Sequence, residues 1–72
     1  MRPSYEPAVK TALLDASRDF QADPRDLRVT EVAQVKRQHT QQRYYRVRIE
    51  NSVGTTRFYL VSLDGARVEQ AY

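Results

Sequence analysis

The chain has 72 residues, no cysteine, 12 Lys and Arg against 9 Asp and Glu, and a net charge of +3. That length gives one small domain and excludes the large parallel sheets that house most nucleotide-dependent chemistry. The lack of cysteine excludes disulfides, thiolate nucleophiles and Cys-based metal centres, and no apolar run is long enough for a membrane span or the core of a signal peptide.

Residues 1–6 read as an N-terminal arm and residues 7–72 as the folded domain. Pro7 suits the first turn of a helix, where its missing N–H costs nothing. Val9, Leu13, Ala16 and Phe20 then recur at helical spacing, which predicts a helix from Pro7 to about Ala22 with one apolar stripe. A helix of that length is marginal alone, so the stripe needs a partner surface. Pro24 disfavours α geometry at Asp23, and Asp23-Pro24-Arg25-Asp26 reads as a cap followed by one short turn.

From Leu27 to about Arg37 the residues favour strand, but the alternation breaks. Leu27 and Val29 share one face, Val32 falls on the other, and Val35 returns to the first. A bulge near Thr30–Val32, or a strand covered on both sides, would reconcile them. Residues 38–42 are a polar loop. Tyr44 to Glu50 alternates cleanly, with Tyr45, Val47 and Ile49 on one face and Tyr44, Arg46, Arg48 and Glu50 on the other. Asn51-Ser52-Val53-Gly54 is a turn cluster. Thr55 to Leu63 is a strand with apolar residues on both faces: Tyr59, Val61 and Leu63 on one, Phe58 and Leu60 on the other. Asp64-Gly65 predicts a two-residue type I′ hairpin turn pairing Leu63 with Ala66, Val61 with Val68 and Tyr59 with Gln70. The last strand runs from Ala66 to about Tyr72.

The fold class is therefore α+β, with one N-terminal helix packed on a four-stranded antiparallel meander. Leu13, Phe20, Val47 and Val61 should be among the least exposed side chains.

The order of elements, with the segments Val29-Thr30-Glu31-Val32, Tyr45-Arg46-Val47-Arg48-Ile49-Glu50 and Arg57-Phe58-Tyr59-Leu60-Val61-Ser62-Leu63-Asp64-Gly65, resembles PepSY-type domains and, more broadly, cystatin-like helix-on-meander domains. The resemblance covers residues 8–70. It implies a non-catalytic inhibitory or binding module, with no catalytic residues to carry over, often in exported or envelope proteins.

The residues themselves offer little catalytic chemistry. His39 is the one histidine and stands in a polar loop with no neighbouring carboxylate, so it reads as solvated. Asp23 and Asp26 could form a cation site, but a cap and turn account for them. Gly54 and Gly65 belong to hairpin turns and form no phosphate loop. The expectation is a protein that is not an enzyme, with no cofactor, metal or catalytic residue.

Two surfaces remain. Arg37, Arg43, Arg46 and Arg48 lie in a stretch free of acids and form a candidate polyanion-binding set. The plainer reading is a solvated face, with Arg stems lying over apolar area and pairing with Glu50 or Glu69. Tyr44, Phe58 and Leu60 form a candidate protein interface, because one helix covers only one face of a sheet. That second face must be shielded by the arm, through Tyr5, by a partner, or by another copy in a homodimer burying Phe58, Leu60 and Tyr44. The sequence points first to a non-catalytic protein-interaction module, binding or inhibitory in role, and second to a nucleic-acid or polyanion binder using an Arg/Tyr sheet face. The absence of a signal peptide points to the cytoplasm for a complete chain, and the PepSY-type resemblance to the envelope for a trimmed one.

Overall fold

A computed structural model describes residues 5–72. Its elements are helix α1 (Glu6–Phe20), a 3-10 turn (Pro24–Asp26), and strands β1 (Arg28–Lys36), β2 (Arg43–Glu50), β3 (Thr56–Ser62) and β4 (Val68–Ala71). The sheet order is β1-β2-β3-β4, antiparallel throughout, so every connection is a hairpin. This is the expected helix on a four-stranded meander. Residues 1–4 of the expected arm lie outside the described residues, Tyr5 precedes α1 and Glu6 opens it.

The helix ends two residues before the expected Ala22. Gln21 turns left-handed at φ 52°, and the Ala22 N–H reaches back to the Ser17 carbonyl at 3.1 Å, closing the last turn. Asp23 is held extended before Pro24, and its carboxylate accepts the Arg25 N–H at 2.9 Å, so it caps the 3-10 turn as expected. That backbone hydrogen bond, followed by the Arg25 side chain, lowers the Asp23 pKa.

The face of α1 against the sheet keeps Ala16 of the expected stripe but is rotated away from Val9, Leu13 and Phe20. Ala8, Ala12 and Ala16 are the fully buried helical residues, while Leu13 and Phe20 flank them half-buried. The reason is steric. The sheet presents large side chains, Tyr45, Ile49 and Tyr59, so the helix backbone approaches closely only along a row of methyl groups. On the sheet, Val47, Ile49, Tyr59 and Val61 are fully buried. Of the four residues expected to be least exposed, Val47 and Val61 are, and Leu13 and Phe20 are displaced to the flank.

The β1 bulge falls where the broken alternation placed it. Val29 pairs with Ile49 and Glu31 with Arg48, leaving Thr30 as the extra residue. Val29 and Val32 consequently share the helix side. Val35, opposite Tyr44, lies on the other side, contrary to the reading that returned it to the face of Val29.

Gly65 has the expected positive φ, 75°, but the turn is not type I′. Asp64 keeps a negative φ, and the Gly65 N–H bonds the Ser62 carbonyl at 2.8 Å, so Leu63 and Asp64 are the central residues. Asp64 accepts from Ser62 Oγ at 2.7 Å and from the Ala66 N–H at 2.9 Å, which fixes the turn and lowers its pKa. Val61 pairs with Val68 as expected. A register shift between Leu60 and Val61 then sets Tyr59 opposite Ala71 rather than Gln70, and Leu63 is exposed in the turn instead of pairing with Ala66.

Gly65 also touches the helix. A Cβ there would lie 2.5 Å from Pro7 Cβ and 2.8 Å from the Ala8 nitrogen, and Thr11 Oγ1 donates to the Gly65 carbonyl. The glycine is required by this close approach as well as by its φ.

Candidate functional site

The sheet has one face under α1 and one open face. Alternation and register place Arg28, Glu31 and Val35 of β1, Tyr44, Arg46, Arg48 and Glu50 of β2, and Phe58 and Leu60 of β3 on the open side. No helix or second sheet covers this side among the described residues. Yet Tyr44 is only 6% and Leu60 only 8% exposed, and Phe58 is half-buried.

Long side chains from the sheet itself make the cover. The Arg37 guanidinium lies 5.2 Å from the centre of the Tyr44 ring and donates to Gln70 Oε1 at 3.1 Å, crossing from the end of β1 to β4. The Tyr44 hydroxyl donates to Gln42 Oε1. Arg46 and Arg48 both lean on Phe58, with guanidinium carbons 5.8 and 6.0 Å from its centroid. Tyr72 stacks on the same ring at 5.5 Å and 17°, held there by two backbone hydrogen bonds between Phe58 and Tyr72. Guanidinium on aromatic is attractive in itself and shields apolar carbon from water.

Two ion pairs cross this face. Arg28 meets Glu50 at 2.9 Å and Arg46 meets Glu31 at 2.9 Å. Arg48 has no carboxylate partner among the described residues, and its Nε, like that of Arg46, is shut off from solvent without a hydrogen-bond acceptor. A buried guanidinium N–H without an acceptor is costly and uncommon.

The candidate sets therefore divide. Tyr44, Phe58 and Leu60 do come together, but under a layer of arginine rather than as an exposed apolar patch. The surface that was to drive a two-fold contact is largely covered within one chain. Tyr5 gives none of this cover: its ring packs edge-on against Tyr45, 6.4 Å away on the helix side. Of the polyanion set, Arg37, Arg46 and Arg48 share the open face. Arg43, opposite Lys36 at the start of β2, is exposed and out of phase with Arg46 and Arg48. The sequence reading missed Tyr72 and Gln70, because both reach this face through the β3–β4 register shift.

A second polar cluster joins the helix to the sheet. The Tyr59 hydroxyl donates to Asp19 Oδ2 at 2.9 Å, Arg57 pairs with the same oxygen at 3.1 Å, and the Arg57 guanidinium lies 5.9 Å from the Phe20 ring centre. Burial, then the hydrogen bond to Asp19, pushes the Tyr59 pKa up to about 12. The cluster satisfies the one polar group that a fully buried tyrosine brings into the core.

His39 is exposed in the β1–β2 loop. Among the described residues no three His, Asp or Glu side chains gather as metal ligands, and no helix is long and apolar enough to cross a membrane. Comparison with protein-family models, with curated proteins and with solved structures finds no match for the chain.

Proposed function

We propose that the chain is a non-catalytic protein-interaction module, binding or inhibitory in role, which docks a protein partner on the open sheet face around Tyr44, Phe58 and Leu60. The observation that carries this reading is the arginine–aromatic layer over that face: Arg37 on Tyr44, and Arg46, Arg48 and Tyr72 on Phe58. Arginine and aromatic residues are enriched at the energetic centres of protein interfaces, where each combines apolar area with directional polar groups. The PepSY-type resemblance supports the same non-catalytic role.

A second reading, binding of nucleic acid or another polyanion, draws on the grouping of Arg37, Arg46 and Arg48. It is the weaker one. A base needs an open aromatic ring on which to stack, and the Tyr44 and Phe58 rings are already occupied.

Site-specific photo-crosslinking tests the proposal. A photoreactive residue is placed at Tyr72 on the open face, and separately at Leu14, which is 62% exposed on the helix. The expected result is a discrete protein adduct from position 72 and none from position 14, with the pair then reconstituted from purified components and abolished by Phe58→Glu. Equal labelling from both positions, or adducts with nucleic acid alone, contradicts the proposal.

A further inference from the structure

We infer that the partner's docking segment is acidic and that Arg48 is its anchor, taking a carboxylate on its guanidinium. This inference rests on the open face being the docking surface and names the chemistry that face selects. Among the residues that alternation and register place there, with Arg37 reaching over Tyr44, four arginines, Arg28, Arg37, Arg46 and Arg48, stand against two glutamates, Glu31 and Glu50; at the Tyr44 edge Arg67 and Glu69 answer each other at 2.6 Å. Arg28 is engaged by Glu50, Arg46 by Glu31, and Arg37 by the Gln70 amide. Among the described residues, Arg48 alone in this set has neither a carboxylate nor an amide acceptor. It sits at the centre of the sheet, between Glu31 on β1 and Phe58 on β3, and the Glu31 carboxylate that could have answered it is turned to Arg46 instead.

The position of Arg48 strengthens what an anion would gain. Its Nε is shielded from water, and its guanidinium rests on Phe58. A planar guanidinium held in place loses little freedom on binding, and it matches a carboxylate with two parallel N–H···O bonds. The charge surplus is local and small, suited to isolated carboxylates on a protein. A continuous phosphate backbone would also have to pass Glu31 and Glu50, which repel it, and its bases would find the rings covered. The observations therefore favour an acidic protein segment over a nucleic acid.

NMR of the backbone amides and arginine Nε–H groups tests this, with hexaglutamate, hexaglutamine and oligothymidylate as separate probes. Hexaglutamate is expected to shift Arg48 Nε–H and the amides around Arg48 and Phe58 saturably, less so at high salt. Arg48→Gln should weaken that binding about five-fold or more, while Arg28→Gln, which removes an arginine already paired, should change it less than about two-fold. The dispersed spectrum of each variant verifies its fold. Equal hexaglutamate affinity for wild type and Arg48→Gln overturns the inference, as does tighter binding of oligothymidylate. If hexaglutamine moves the open face as strongly as hexaglutamate, the face docks peptides without reading charge, and only the inference falls. If the peptide probes shift residues away from this face, the docking surface itself is misplaced and both readings fall.

Discussion

The two faces of the sheet are built from the same strands and closed in opposite ways. Under α1, Val47, Ile49, Tyr59 and Val61 meet a row of fully buried alanines, and at the Gly65 turn a Cβ would clash with Pro7 and Ala8. The other face buries Tyr44 and Leu60 almost as well, but its cover is made of single side chains, Arg37 over Tyr44 and Arg46 and Arg48 over Phe58. Burial alone does not distinguish the two. What distinguishes them is the cost of removing the cover. A helix taken off its face unfolds the domain, whereas an arginine lifted from a ring exchanges one modest attraction for hydration. A chain of 72 residues can thus assign one face to stability and keep the other for exchangeable contacts.

The sharpest test of the tight face is Gly65→Val. Overpacking against Pro7 costs about 1–3 kcal/mol and the left-handed backbone about 1–2 kcal/mol more. Together these would unfold much of a domain whose total stability is of order 5 kcal/mol, as thermal melts would read. Gly54, at φ 87° with nothing within 4 Å of a built Cβ, is the control: Gly54→Ala should cost only about 1 kcal/mol, the backbone part. Ala12→Leu should cost about 1–3 kcal/mol in urea unfolding, because it forces α1 away from the sheet.

Tyr59→Phe should cost about 1 kcal/mol, the net worth of the hydroxyl bond to Asp19. It should also change the alkaline limb. The folded pKa of Tyr59 lies above the ordinary value of 10.0, at about 12, so its contribution is complete below pH 10 and is lost as pH rises toward 12. Stability of wild type should therefore fall across that window more steeply than stability of Tyr59→Phe. The smallest effect belongs to the open face: Arg46→Gln removes a surface ion pair with Glu31 and should cost less than about 1 kcal/mol.

Much of this architecture was legible in the chain. The clean alternation of Tyr44–Glu50 assigned both faces of β2 correctly, and the broken alternation after Val29 left two explanations, of which the bulge at Thr30 is the one the register shows. The helix rotation was hidden because an apolar-stripe reading favours large residues, whereas contact distance against Tyr45 and Tyr59 selected Ala8, Ala12 and Ala16. The Asp-Gly pair marked the last turn but not its type, since tertiary contact with Pro7, as much as local turn preference, requires the glycine. The roof of the open face was half legible. Arg46 and Arg48 follow from alternation, and Arg stems lying over apolar area are the plainer reading of that face. Arg37 reaching Gln70, and Tyr72 stacking on Phe58, depend on side-chain reach and on a register shift that local sequence does not encode.

Arg48 and Ile49 are adjacent on β2 and point to opposite faces, so one pair of unfolding measurements tests the account most directly. Ile49→Ala, on the helix face, should lower the unfolding free energy by about 2–5 kcal/mol. Arg48→Gln, on the open face, should lower it by less than about 0.5 kcal/mol or raise it slightly, because it removes a charge that has no carboxylate partner among the described residues. A loss at Arg48 comparable to the loss at Ile49 would mean that the arginine layer is part of the structural core, and would contradict the division between a face that folds the chain and the face proposed for docking.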